Sequence, residues 1–93
     1  MEVERAVEIA NKLGLHARAS TRLAQVAKQF EASIRLSMVG GDSTEEVDAK
    51  SILQILTMGA EKGQTIRIRA LGNDAQQAVE AVVQLVQQNF GEE

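Results

Sequence analysis

The chain has 93 residues, a formal net charge of −3, no cysteine and one histidine. That length suits one folding unit, so a single domain over 1–93 is expected; without Cys and with a lone His, a disulfide framework, a thiol nucleophile and a tetrahedral zinc site are excluded. Two phenylalanines are the only aromatics, the charge is acidic, and no apolar run approaches a membrane span, so nucleic-acid partners, membrane insertion and any metal or cofactor are not expected.

Val3, Val7 and Ile9 alternate with Glu2, Glu4 and Glu8, which predicts a half-buried first strand, with Arg5 standing on its apolar side. From Ala17 to Phe30, Leu23, Val26, Ala27 and Phe30 fall at helical spacing. Ile34, Leu36 and Met38 alternate with Ser33, Arg35 and Ser37 in a second strand that ends at a Gly40-Gly41 turn. After a polar tip from Asp42 to Glu46, Val47 and Ala49 predict a short third strand. Ser51 and Gln54 then have capping-box spacing for a short helix that Gly59 and Gly63 end. Ile66, Ile68 and Ala70 against Arg67 and Arg69 make a fourth strand. Asn73-Asp74 is expected to cap a last helix whose stripe is Ala75, Ala78, Val79, Val82, Leu85, Val86 and Phe90. The order β-α-β-β-α-β-α, with strands apolar on one face only, predicts an α+β fold: a four-stranded antiparallel sheet covered by three helices on one face. The acidic residues Asp42, Glu45, Glu46 and Asp48 lack calcium-loop spacing and suit a solvated hairpin tip.

Although the chain is acidic overall, residues 9–29 hold Lys12, Arg18, Arg22 and Lys28 and no Asp or Glu. The only His, His16, lies in that window, where the first helix is expected to start. Unpaired N–H groups and the helix dipole favour an anion there. Cationic surroundings disfavour a second charge on the imidazole, leaving a ring nitrogen with a lone pair for an electrophile. A phosphoryl group on it would meet amide donors and the Arg18 guanidinium. Taken alone, a single His beside Leu15 and Ala17 is more often a satisfied surface or boundary residue than a nucleophile.

The string Asn11-Lys12-Leu13-Gly14-Leu15-His16-Ala17-Arg18-Ala19-Ser20 closely resembles the phosphorylation-site loop of the HPr family, the histidine phosphocarriers of the bacterial phosphoenolpyruvate-dependent phosphotransferase system. The segment from Asp48 to Gly59 resembles that family's regulatory-serine segment, and the likeness spans the chain. The resemblance implies an open-faced β-sandwich and a covalent phosphoryl relay rather than a turnover enzyme. His16 would be the phosphorylated residue, Arg18 its phosphate partner, and Ser51 a site for HPr kinase/phosphorylase. It implies enzyme I as donor and enzyme IIA-type proteins as acceptors, met by a cytoplasmic monomer. The partner surface is expected to take in Ala17, Ser20, Thr21, Arg22, Lys28 and Lys50, with Ile52, Leu53 and Leu56 as its apolar part. Seen only as helix periodicity, at least one of those three belongs in the core. Where the family usually has Pro, this chain has Ala19, and the segment from Val39 to Glu46 is a few residues longer than usual. The rival expectation is a regulatory protein-binding module whose phosphorylation signals rather than drives sugar uptake; a weaker one is an α/β sandwich that is never phosphorylated.

Overall fold

The computed structural model describes residues 1–40 and 45–92. Its elements are β1 (Glu2–Glu8), α1 (Ala17–Ala27), β2 (Ser33–Met38), β3 (Val47–Asp48), α2 (Ile52–Met58), β4 (Thr65–Leu71) and α3 (Ala75–Gln87), followed by a 3-10 turn at Asn89–Gly91. The four strands form one sheet in the order β1-β4-β2-β3 with every pair antiparallel. Residues 41–44, within the expected Gly40-Gly41 turn and acidic tip, lie outside the described residues.

Register places the alternating apolar residues on one face. Val7 pairs with Ile66, Leu36 with Ile68, and both Val3 and Ile34 with Ala70. The helices close over this face with Leu23 and Ala27 from α1, Ile55 from α2, and Val79, Val82 and Val86 from α3, all fully buried. Each large aliphatic group so removed from water contributes about 1.5–3 kcal/mol. On the opposite face Arg69 bonds Glu46 at 2.6 and 2.8 Å and Glu2 at 3.2 Å, while Arg67 lies 3.3 Å from Glu4. The Arg69 hydrogen bond, against a smaller opposing effect of burial, holds the Glu46 carboxyl below its usual range. Arg5 pairs with Ile68 on the inward row yet is exposed, because β1 is an edge strand past which a long side chain reaches water.

Several caps differ from expectation. The first helix stops at Ala27, so Phe30 lies beyond it and is half-buried. The Ser51 hydroxyl accepts the Gln54 amide at 3.2 Å, but the Gln54 side chain accepts the Asp48 amide instead of closing the box on Ser51. Asp74 occupies the N-cap of α3 without a side-chain cap bond. Its two oxygens accept the amides of Glu31 and Ala32 at 2.9 and 2.8 Å, tying the start of α3 to the turn before β2. The bond from Glu31 is the strongest influence on this carboxyl and, with that from Ala32, outweighs burial to lower its pKa below 3.8. Since the folded-state value is depressed, this stability is present at neutral pH and lost as pH falls below 3.8 through the folded value. Asp74→Asn should therefore lose less of its thermal midpoint than wild type between neutral and strongly acidic pH; parallel losses would refute the linkage.

Candidate functional site

The site begins where β1 gives way to the loop before α1. Gly14 has φ 66°, and a Cβ there would stand 2.4 Å from the carbonyl oxygen of Ala60 and 2.9 Å from Glu61 Cα. The next residue, Leu15, donates its amide to that same Ala60 oxygen at 2.9 Å. Asn11, fully buried, donates Nδ2 to the Gly14 carbonyl at 2.8 Å. The loop that carries the histidine is thus pinned on both sides before it enters the helix.

His16 is the N-cap of α1, and its Nδ1 accepts the Arg18 amide at 3.2 Å. A backbone amide only donates, so Nδ1 holds the lone pair and the ring hydrogen sits on Nε2. That nitrogen lies 2.6 Å from Oε2 of Glu92, to which it donates. The carboxylate arrives from 76 residues away on a tightly built hook. Asn89 and Phe90 take left-handed φ values of 56° and 57° and Gly91 follows at 77°, reversing the chain after α3. Arg22 donates from its guanidinium to the Phe90 carbonyl, Phe90 is fully buried, and Asn11 Nδ2 reaches Glu92 Oε1 at 3.2 Å. Burial pushes the Glu92 carboxyl up, but the bonds from Asn11 and His16, together with the Arg18 charge, outweigh it and lower its pKa. It is ionised at neutral pH.

Chemically this is a half-exposed imidazole with its lone pair directed at a helix N-terminus, a carboxylate behind it, and the exposed Arg18 beside it. Residues 3–88 match the family described as PTS HPr component phosphorylation site. The chain belongs to the HPr family. It is 40% identical over 90 residues to phosphocarrier protein HPr of Cupriavidus necator, covering 97% of each chain. Similarity to phosphocarrier protein NPr of Shewanella violacea is 42% identity over 91 residues, 98% of this chain and 96% of that one. Among solved structures, HPr-C-His from Thermoanaerobacter tengcongensis matches with a TM-score of 0.89 at 37% identity over 98% of both chains. HPr proteins are phosphocarriers of the phosphotransferase system, and no helix among the described residues of this one is long and apolar enough to cross a membrane.

Within this HPr-family site the expected residues divide. His16, Ala17 and Arg18 lie together at the helix start, Ala17 and Arg18 exposed. Ser20 is fully buried and donates its hydroxyl to the Leu15 carbonyl at 3.1 Å, so it braces the loop and offers no contact surface. Thr21 bonds the Ala17 carbonyl, and Arg22 is committed to the hook. Lys28 stands at the far end of α1, about 18 Å along the axis from His16. Lys50 donates to the Phe30 carbonyl at 2.8 Å. Of the helix-two trio, Ile52 is half-buried while Leu53 and Leu56 are 77% and 37% exposed; the core position belongs to Ile55. In so short a helix one fully inward position suffices; Ile52 packs partly against the core, and Leu53 and Leu56 are left to the surface. Met38, Glu45, Val47, Thr57 and Met58 line a cavity of about 240 Å³ between α2 and the sheet edge, and His16 is not among its lining residues.

Glu92 has no place among the residues the sequence singles out, and Asn11 and Phe90 enter there only within the loop string and the apolar stripe of the last helix. The available clue was Gly91 just after the last apolar residue of α3, a helix-stop pattern that takes Phe90 off the helical stripe. Phe90 is buried as expected, but on the turn rather than on α3.

Proposed function

We propose that His16 accepts a phosphoryl group from phosphorylated enzyme I and passes it to an enzyme IIA-type acceptor, as a cytoplasmic, monomeric, single-domain carrier. The observation that carries this reading is the imidazole lone pair at the α1 N-terminus, with Nδ1 3.2 Å from the Arg18 amide. The Nδ1 lone pair attacks phosphorus, the donor's P–N bond breaks, and its electron pair returns to the donor imidazole. Amide donors at the helix start and the Arg18 guanidinium then face the phosphate oxygens. Such a site binds phosphate well enough to orient it and, being exposed, lets it leave. Ala17, Leu53 and Leu56 offer the neighbouring surface for donor and acceptor, with Ile52 at its edge.

Phosphohistidine is acid-labile and phosphoserine is not. The protein and its His16→Ala variant are therefore incubated with phosphoenolpyruvate and enzyme I, and separately with ATP and HPr kinase/phosphorylase, with intact mass read before and after acid. One acid-labile phosphate on wild type and none on the variant is expected; equal labelling of the two would sink the assignment. Phosphate only in the serine arm would favour a regulatory binding module.

Ser51 has two roles in this reading. As an N-cap it contributes about 1 kcal/mol to α2, which Ser51→Ala should lose. Phosphorylated, it would place about two negative charges beside the docking face. Ser51→Asp should weaken enzyme I binding roughly tenfold by titration calorimetry, a loss of about 1.4 kcal/mol, and unchanged affinity would remove the switch.

A further inference from the structure

We propose that Glu92 is a positioning residue of this site: it holds His16 through Nε2, aims Nδ1 at the α1 N-terminus, and balances the charge the ring acquires when Nδ1 is phosphorylated. This rests on the phosphocarrier reading of His16. Two bonds select the same ring state, since the Arg18 amide requires a lone pair on Nδ1 and the Glu92 carboxylate at 2.6 Å requires a hydrogen on Nε2. A free surface side chain would not hold such a geometry. Here Asn11 fixes the second carboxylate oxygen at 3.2 Å, Arg22 clamps the Phe90 carbonyl, and the buried Phe90 ring anchors the hook. The Glu92 side chain retains only 16% of its exposure and that of His16 25%.

The arrangement also closes the charge balance. Before transfer the ring is neutral with its hydrogen on Nε2. When Nδ1 bonds to phosphorus, the ring becomes an imidazolium carrying that same hydrogen, and the donor ring goes from imidazolium to neutral imidazole. No proton leaves His16. The new positive charge appears against a carboxylate already in place, so the bond to Glu92 becomes an ion pair at the moment of transfer.

The test uses the full chain and phosphoramidate, a small phosphoryl donor that needs no docking partner, with the imidazole nitrogens followed by nitrogen-15 NMR. Wild type should show hydrogen on Nε2, protected from solvent exchange, and should form phosphohistidine. Glu92→Gln keeps an acceptor for that hydrogen without the charge, and should retain the ring state while taking up phosphate about fivefold more slowly. Glu92→Ala should lose the exchange protection and be slowed at least as much. Wild-type protection and uptake in Glu92→Ala would overturn the role of Glu92 and leave the carrier reading intact. A wild-type protein that takes no phosphoryl group from phosphoramidate or from enzyme I, while its Nε2 hydrogen still depends on Glu92, would overturn the carrier reading and the charge-balancing role with it.

Discussion

Replacing Gly14 by alanine is expected to destabilise the protein by about 3 kcal/mol, the sum of a left-handed backbone penalty of about 1–2 kcal/mol and of overpacking at about 1–3 kcal/mol. Both close atoms, the Ala60 oxygen at 2.4 Å and Glu61 Cα at 2.9 Å, belong to backbone and have no rotamer by which to give way. The Ala60 oxygen is also the acceptor for Leu15, so the added methyl pushes on the bond that seats the residue before His16. Gly59→Ala is the matched comparison, because Gly59 has nearly the same φ, 59°, with nothing within 4 Å of the added carbon. That variant should lose only about 1 kcal/mol. Urea unfolding of the pair separates steric contact from backbone conformation, and equal losses would show that the loop moves aside freely.

Truncation of Phe90 to alanine should cost about 3–5 kcal/mol, as expected for removing a fully buried ring. At about 4–8 °C per kcal/mol for a chain of this size, the thermal midpoint should fall by at least about 12 °C. The distinctive expectation is local. Without the ring, the left-handed Asn89 and Phe90 have little to offset their conformational cost, and the carboxylate loses its anchor. Phe90→Leu, which keeps much of the buried surface, should lose less stability and keep the His16 to Glu92 bond. A Phe90→Ala protein with that bond intact by imidazole NMR would show that Arg22 and Asn11 hold the hook unaided.

Much of this architecture was legible in the residues because strand and helix periods alternate along the chain with little ambiguity. Val3 and Val7, Ile34 and Leu36, and Ile66 and Ile68 all sit on the inward face as their spacing indicates, and the sheet and helix layers match the expected sandwich. The caps were harder. Ser51 and Gln54 have the spacing of a reciprocal box, yet Gln54 prefers the Asp48 amide; Asp74 is placed as a cap but serves the turn before β2. Spacing locates a polar group near a helix end without deciding which of several nearby amides it takes. The neighbourhood of His16 was legible in its basic residues and not in its acid, because the window 9–29 contains none and Glu92 enters through a backbone reversal with no periodic pattern. Ser20 shows the converse: a hydroxyl next to the site in sequence that the fold turns inward.

The strand order carries a consequence for the making of the protein. β1 has a single neighbour in the sheet, β4, so Glu2 waits for Leu71 and Glu8 for Thr65 before β1 has a ladder. Pairings of such long sequence separation form late, after the cost of closing the intervening loop. His16 depends on still more distant chain, since its Nε2 partner is residue 92. A nascent chain that stops short of residue 60 therefore presents the histidine with neither its seat at Ala60 nor its carboxylate. The ordered geometry at His16 is complete only once residue 92 has been made and has folded back onto the ring.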